Sequence, residues 1–339
     1  MSGEQMAREM DEQPDRLRSL IERGETIRQT VREQLPSPLH GITIVARGSS
    51  DHAATYGRYL LESASGRPVS LAAPSLHTMY GIQARYGGQL VLAVSQSGAT
   101  PEIVTTLREL VDGGGRGLAV TNDPASDLAR AAGAVIELGV GEEIAVPATK
   151  TVTAQMTVFA LMALALGEVP FSETELRRLP QWVEEVLGDP VPAEEAAAQL
   201  QGCTRLIVVA RGYLYGAAQE VALKIEETCS VLADAYSSAD LRHGPIAAVV
   251  PGVPVLSLNA SGPAHDDVSE LVAELRGRGV TVIQLGGDSG DEIPLPADVP
   301  EGLAPILAVV RGQQLARALA LRIGYDPDSP EGLSKVTVT

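Results

Sequence analysis

The chain has 339 residues, with 43 Asp and Glu against 26 Lys and Arg and a net charge of −17. Such acidity repels nucleic-acid backbones and anionic membrane surfaces, and an aromatic content of 3 % excludes carbohydrate or base-stacking platforms built on Trp and Tyr. Two cysteines, Cys203 and Cys229, exclude a disulfide framework or a cysteine-rich zinc site, and neither a signal-peptide stretch nor a membrane-length apolar run is present, so a cytoplasmic globular protein of about two domains is expected.

Residues 4–35 are polar, with Met6, Met10, Leu17, Leu20, Ile21, Ile27 and Val31 at helical spacing. This predicts one or two amphipathic helices broken near Pro14 and stopped by Pro36 and Pro38. From there, short apolar runs end in polar glycine turns that open helical stretches. Ile42-Thr43-Ile44-Val45 ends in Ala46-Arg47-Gly48-Ser49-Ser50 before a helix near 53–63. Leu90-Val91-Leu92-Ala93-Val94 ends in Ser95-Gln96-Ser97-Gly98 before a helix at 101–111. Gly117-Leu118-Ala119-Val120 ends in Thr121-Asn122-Asp123 before a helix starting near Ser126. Apolar strand, glycine turn and helix in alternation predict an α/β fold of βαβ units on a parallel sheet covered on both faces.

The pattern recurs. Ala46-Arg47-Gly48 returns as Ala210-Arg211-Gly212 and Ser97-Gly98 as Ser261-Gly262, both displaced by the same 164 positions. A shared offset in the same strand–turn–helix setting predicts a duplicated unit, one copy near 37–170 and one near 200–322. Gly188-Asp189-Pro190-Val191-Pro192 is a candidate linker between them. The domain reading is N-terminal helices at 1–36, a first subdomain at 37–188, a second at 189–323 and a tail at 324–339.

In an open parallel sheet, ligands bind outside the carboxyl ends of the strands. Those ends in the first copy carry Ser49, Ser50, Ser95, Gln96, Ser97 and Thr100. Hydroxyls and helix N-terminal amides together form an uncharged anion cradle. Such residues also simply cap helices. In the second copy, however, the matching turns read Gly212-Tyr213-Leu214 and Asn259-Ala260-Ser261-Gly262-Pro263-Ala264 and have lost most hydroxyls. Capping would be needed equally in both copies, so the first copy is expected to hold the anion site.

Glu220, Lys224 and Glu227 stand at i, i+4 and i+7 of a helical stretch at 217–232, on one face. They form either a solvated salt-bridge ladder or a carboxylate tuned as a base by its neighbours. His243 precedes Gly244-Pro245 and has the most constrained setting of the five histidines, with no other His or Cys at metal-ligand spacing. Lys335 lies in the final residues.

Together these motifs resemble the double sugar isomerase (SIS) domain family, most closely the isomerase half of glutamine–fructose-6-phosphate aminotransferases and the stand-alone sugar-phosphate deaminases. The resemblance rests on Ser95-Gln96-Ser97-Gly98-Ala99-Thr100, Thr149-Lys150, Ala222-Leu223-Lys224, Leu241-Arg242-His243-Gly244-Pro245 and the Lys335 tail, in family order from about Ile44 to the C-terminus. It implies two tandem SIS subdomains, each a flavodoxin-like three-layer α/β/α sandwich. It assigns the sugar phosphate to Ser50, Ser95, Gln96, Ser97 and Thr100 with Ser49 nearby. Glu227 is implied as the base between sugar C1 and C2, with Lys224 one helical turn before it. His243 is implied in ring opening, reaching in from a neighbouring subunit of a homodimer. Lys335 is implied as the tail lysine closing over the sugar with Ser334 beside it, and Val146 and Ala148 as pocket-lining positions.

Two departures are visible: Ala148 stands where the family usually has serine, and the ending Lys335-Val336-Thr337 is one residue shorter than the synthase ending and closer to the deaminase ending. Only some 40 residues precede the first strand, and Met1 is followed by Ser2-Gly3 rather than a catalytic cysteine. No glutaminase domain is therefore expected, and release of ammonia is favoured over its capture. The expectation is a glucosamine-6-phosphate deaminase forming fructose 6-phosphate, needing no metal, nucleotide or flavin. Alternatives on the same scaffold are a galactosamine-6-phosphate deaminase, a fructosamine-6-phosphate deglycase, an aminotransferase-type isomerase and, from another class, a non-catalytic sugar-phosphate sensor.

Overall fold

Unbroken runs of aliphatic residues cannot be left half solvated, and in this chain they become parallel strands covered on both faces. The structure, a computed structural model, describes residues 2–83, 85–287 and 292–335. The polar start forms three helices, α1 (Glu4–Asp11), α2 (Gln13–Glu22) and α3 (Gly24–Gln34). Pro14 lies in the first turn of α2, where its missing N–H breaks no helical hydrogen bond. Then follow β1 (Gly41–Val45), α4 (Ser49–Ser65), β2 (Val69–Leu71), α5 (Ser75–Thr78), β3 (Gln89–Ser95), α6 (Pro101–Asp112), β4 (Arg116–Thr121), α7 (Asp127–Ala131), β5 (Ala134–Glu137) and α8 (Lys150–Leu166). The second half comprises α9 (Glu173–Gly188), α10 (Val191–Leu200), β6 (Arg205–Ala210), α11 (Tyr215–Cys229), β7 (Leu232–Ser237), α12 (Ser238–Arg242), β8 (Val255–Leu258), α13 (His265–Gly277), β9 (Val282–Leu285) and α14 (Ala304–Ile323).

Two sheets result, ordered β2-β1-β3-β4-β5 and β7-β6-β8-β9, with every pairing parallel. The offset of the sequence repeat carries β1 onto β6 and β3 onto β8, so both sheets reverse their strand order at the same place, between the first and third strands of the copy. This is the doubly wound α/β architecture expected from the sequence.

The described residues divide into two compact units. One, here the cradle unit, comprises 15–143 and 150–169; the other, the helix unit, comprises 2–14, 144–149 and 170–335. In the cradle unit, Val45, Val91, Ala93 and Ala119 of the strands pack with Ile103, Leu107, Leu110 and Leu128 of α6 and α7. In the helix unit, Val209, Val255 and Val282 pack with Val268, Leu271 and Leu275 of α13. Burying each of the Val, Leu and Ile side chains contributes about 1.5–3 kcal/mol. Helix α8 is buried on all sides from Lys150 to Ala163, its later turns wholly apolar and its first turns carrying buried Lys, Thr and Gln. It approaches α4 so closely that a Cβ on Gly57 would lie 2.4 Å from Phe159. Gly312 on α14 likewise admits Val221 of α11 at a separation no Cβ would allow, which seats the helix carrying Lys224 and Glu227. The expected linker at 188–192 is only a two-residue break between α9 and α10, pinned by Arg311, whose guanidinium donates to the carbonyls of Val186 and Asp189.

Among the described residues, no helix is long and apolar enough to cross a membrane.

Candidate active site

β1 and β3 are neighbours where the strand order of the first sheet turns back on itself, the place where open parallel sheets take ligands. Ser49 and Ser50 open α4 just beyond β1, and Ser95-Gln96-Ser97-Gly98-Ala99-Thr100 runs from the end of β3 to the start of α6. Gly98 has φ +62°, and a Cβ there would sit 2.2 Å from Ser126 Oγ and 2.8 Å from Thr121 Oγ1, so only glycine fits. The turn is held from beneath by Asn122 N donating to Gln96 O (3.1 Å) and Leu128 N donating to Gly98 O (3.0 Å).

The hydroxyls of Ser50, Ser95, Ser97 and Thr100 do not act as N-caps. Neither Gly48, the N-cap of α4, nor Thr100, the N-cap of α6, makes a side-chain cap bond, whereas Ser126 and Ser172 cap α7 and α9 in the ordinary way. Ser95 Oγ instead accepts from Gly98 N (3.2 Å), Ser97 Oγ from Ala99 N (3.2 Å) and Ser50 Oγ from Gln155 Nε2 (2.9 Å). A serine hydroxyl carries one proton and two lone pairs. All three are engaged as acceptors, and none donates its proton to a described residue, so three O–H donors remain for an anion at a helix-start site. Gln155 was not singled out by the sequence. It is 1 % exposed on α8, and its Oε1 has no hydrogen-bond partner among the described residues. The available signal was an amide among the buried threonines at the start of an otherwise apolar helix.

In the helix unit, α11 brings Glu220, Lys224 and Glu227 together. Lys224 Nζ lies 3.4 Å from Glu220 Oε1 and donates a short hydrogen bond to Glu227 Oε2. Lys224 and Glu220 are each 1 % exposed and Glu227 is 21 % exposed, so this is no solvated ladder. Burial alone would push the Lys224 ammonium down, but the charges of Glu220 and Glu227 and their hydrogen bonds outweigh it and hold the group above its ordinary value. The arrangement is a fixed buried cation that anchors one buried carboxylate and presents a second, partly open one.

His243 follows α12 and is exposed, its imidazole without a hydrogen bond to any described residue. Its backbone is set by N–H donation to Ala239 O and Asp240 O, and by Gly244 at φ +135°. Arg242 beside it is tied to Asp267 at 2.9 Å. Val146 and Ala148 are partly buried in an irregular stretch before α8, while Ser334 is exposed and Lys335 partly buried in the stretch after α14. The structure thus places Ser49, Ser50, Ser95, Gln96, Ser97 and Thr100 in the cradle unit and Val146, Ala148, Lys224, Glu227, His243, Ser334 and Lys335 in the helix unit. Among the described residues, no three His, Cys, Asp or Glu side chains group to hold a metal ion.

The SIS domain family matches residues 39–165 and 199–299. The glutamine–fructose-6-phosphate aminotransferase (isomerizing) of Methanothermobacter thermautotrophicus is 32 % identical over 342 residues, covering 98 % of this chain and 57 % of its own length, so the chain spans little more than half of that relative. The C-terminal domain of glucosamine-fructose-6-phosphate aminotransferase from Francisella tularensis matches with a TM-score of 0.81 at 24 % identity, over 96 % of this chain and 98 % of its own. The glucosamine-6-phosphate deaminase of Thermotoga maritima matches with a TM-score of 0.79 at 21 % identity, over 99 % of this chain and 100 % of its own. At those identities the two structures establish the fold.

Proposed function

This chain belongs to the SIS domain family, and from that premise we propose that it is an aminosugar-phosphate deaminase converting glucosamine 6-phosphate and water to fructose 6-phosphate and ammonia. The hydroxyls of Ser50, Ser95, Ser97 and Thr100 take the phosphate, with Ser49 and Gln96 flanking, and no cation is needed because O–H and N–H dipoles supply the positive field. His243 assists ring opening by moving the proton of the C1 hydroxyl towards the ring oxygen. Glu227 then removes the proton from C2 of the open-chain amino aldehyde and returns it to C1, while a second proton passes from the amine nitrogen to O1, leaving a C2 imine beside a C1 alcohol. Water adds to the C=N bond, ammonia departs, and the C2 ketone remains. Lys335, Ser334, Val146 and Ala148 line the sugar in this reading, and His243 acts from the second subunit of a homodimer, as the family resemblance implies.

The observation that carries the proposal is the Lys224 anchor. A general base must be fixed in position before substrate arrives, and a buried ammonium bonded to Glu227 and held from its other side by Glu220 does this. A sugar-phosphate sensor would need the cradle but not this triad. The Arg242-His243-Gly244 loop and the tail ending are what favour ammonia release over the aminotransferase-type isomerase named by the 32 % identical relative.

The test is ammonia release from glucosamine 6-phosphate, run beside galactosamine 6-phosphate. Release should fall by about 10²- to 10⁴-fold in Glu227→Gln with affinity for the sugar phosphate retained. Wild-type protein that binds the hexosamine phosphates yet frees no ammonia from them would remove the deaminase reading.

A further inference from the structure

Helix α1 lacks its own N-cap side chain: Gly3 occupies that position at φ +77°. The cap comes from the other end of the chain. Asp328 Oδ2 accepts from Gln5 N (3.1 Å) and Oδ1 from Met6 N (2.7 Å), satisfying two amides of the first turn. The backbone carbonyl of the same Asp328 accepts from Val146 N (3.0 Å). One turn along α1, Glu9 is fully buried, and its Oε1 accepts from Ile144 N (2.5 Å) and Ala145 N (3.4 Å), its Oε2 from Ala145 N (3.3 Å). Gln5 Nε2 donates to Glu9 as well (2.8 Å). Met6, Met10 and Ala145 close an apolar cluster over this joint, and Arg317 of α14 donates to Gly3 O at 2.8 Å. Three segments remote in sequence therefore meet within the helix unit: α1, the 144–146 strip and the 326–328 strip.

A buried carboxylate spent on backbone amides fixes a loop that has no secondary structure of its own. The fixed strip leads within two residues to Ala148, and Asp328 leads within seven to Lys335. We propose that Glu9 and Asp328 are positioning residues for the sugar pocket, with α1 as the clamp that sets the Val146–Ala148 loop and the tail carrying Lys335 in one fixed relation. The inference rests on the reading that Val146, Ala148 and Lys335 contact the sugar. It assigns a role to the N-terminal helix, which the sequence showed only as part of an amphipathic helical stretch.

Amide hydrogen exchange by mass spectrometry, on the whole chain without ligand, tests the clamp independently of any reaction. Asp328→Ala and Glu9→Leu should speed exchange at 144–149 by at least tenfold while the strands of both sheets stay protected, and Glu227→Gln should leave that exchange unchanged. With glucosamine 6-phosphate, the two clamp variants should raise KM more than fivefold, whereas Glu9→Gln, which keeps one acceptor, should retain most of the wild-type value. Where a variant unfolds, Asp328→Asn provides the milder change. Unaltered exchange at 144–149, or a loosened loop with KM unchanged, overturns the proposal. Should wild-type protein release no ammonia, the deaminase reading fails while exchange and calorimetric affinity for the sugar phosphate still decide the clamp.

Discussion

The two copies of the α/β unit diverge most at the turn after the third strand of each. After β3, Ser95 accepts one backbone amide and keeps its proton, and the turn is open to an anion. After β8, the counterpart Asn259 spends its whole amide internally: Oδ1 accepts from Ala260 N (2.9 Å), and Nδ2 donates to His265 O (3.2 Å) and Ser269 Oγ (3.1 Å). Where Gly98 rests on two hydroxyls, Gly262 rests on the carboxyl of Glu301, which burial holds partly towards its neutral form. One turn is thus left with unused donors, and the other is filled by the chain's own acceptors. The repeat places two equivalent strand-end crevices in the chain, and their side-chain chemistry differs as a phosphate site on the first copy alone, proposed above, requires.

The difference can be broken or sharpened by substitution. The largest stability effect belongs to the helix unit's own specialisation. Lys224→Met leaves the buried Glu220 carboxylate without its cation and should lower unfolding free energy by about 3–5 kcal/mol in urea titrations. Because the folded lysine is held above its ordinary value of 10.5, its contribution is complete below that pH and is lost as pH rises through the folded value. Wild-type protein should therefore lose stability in alkaline solution in a way that Lys224→Met does not. Gly98→Ala comes next: a left-handed φ and a clash with Ser126 should cost about 1–3 kcal/mol and weaken sugar-phosphate binding more than tenfold. Gln155→Met removes one hydrogen bond to Ser50, worth about 1 kcal/mol, and should raise the Kd about fivefold; the effect should vanish in a Ser50→Ala background. Ser261→Ala, the matched change in the closed turn, should leave affinity untouched and stability within about 0.5 kcal/mol.

The strand–turn–helix rhythm was legible because apolar runs and glycine turns act locally, and the repeat offset revealed the shared topology. Boundaries failed where the signal was not local. The helix expected to run from 217 to 232 stops at Cys229 because Ser230 takes a left-handed conformation (φ +52°), which no glycine announced, and Leu232 instead begins the edge strand β7. Helix α4 starts at Ser49, four residues before its expected start, since a polar first turn reads like loop. Of the candidate site, the hydroxyls at the strand ends and the Lys224–Glu227 pairing could be read from position and spacing. Gln155, Glu9 and Asp328 could not, because each matters through a partner more than a hundred residues away.

On the proposed function, only the first copy's turn takes the phosphate. Isothermal calorimetry of glucosamine 6-phosphate against wild type, Ser97→Ala/Thr100→Val and Ser261→Ala tests it directly. One site per chain is expected, lost in the first variant and unchanged in the second. Two sites per chain, or binding that survives removal of the cradle hydroxyls, would contradict it.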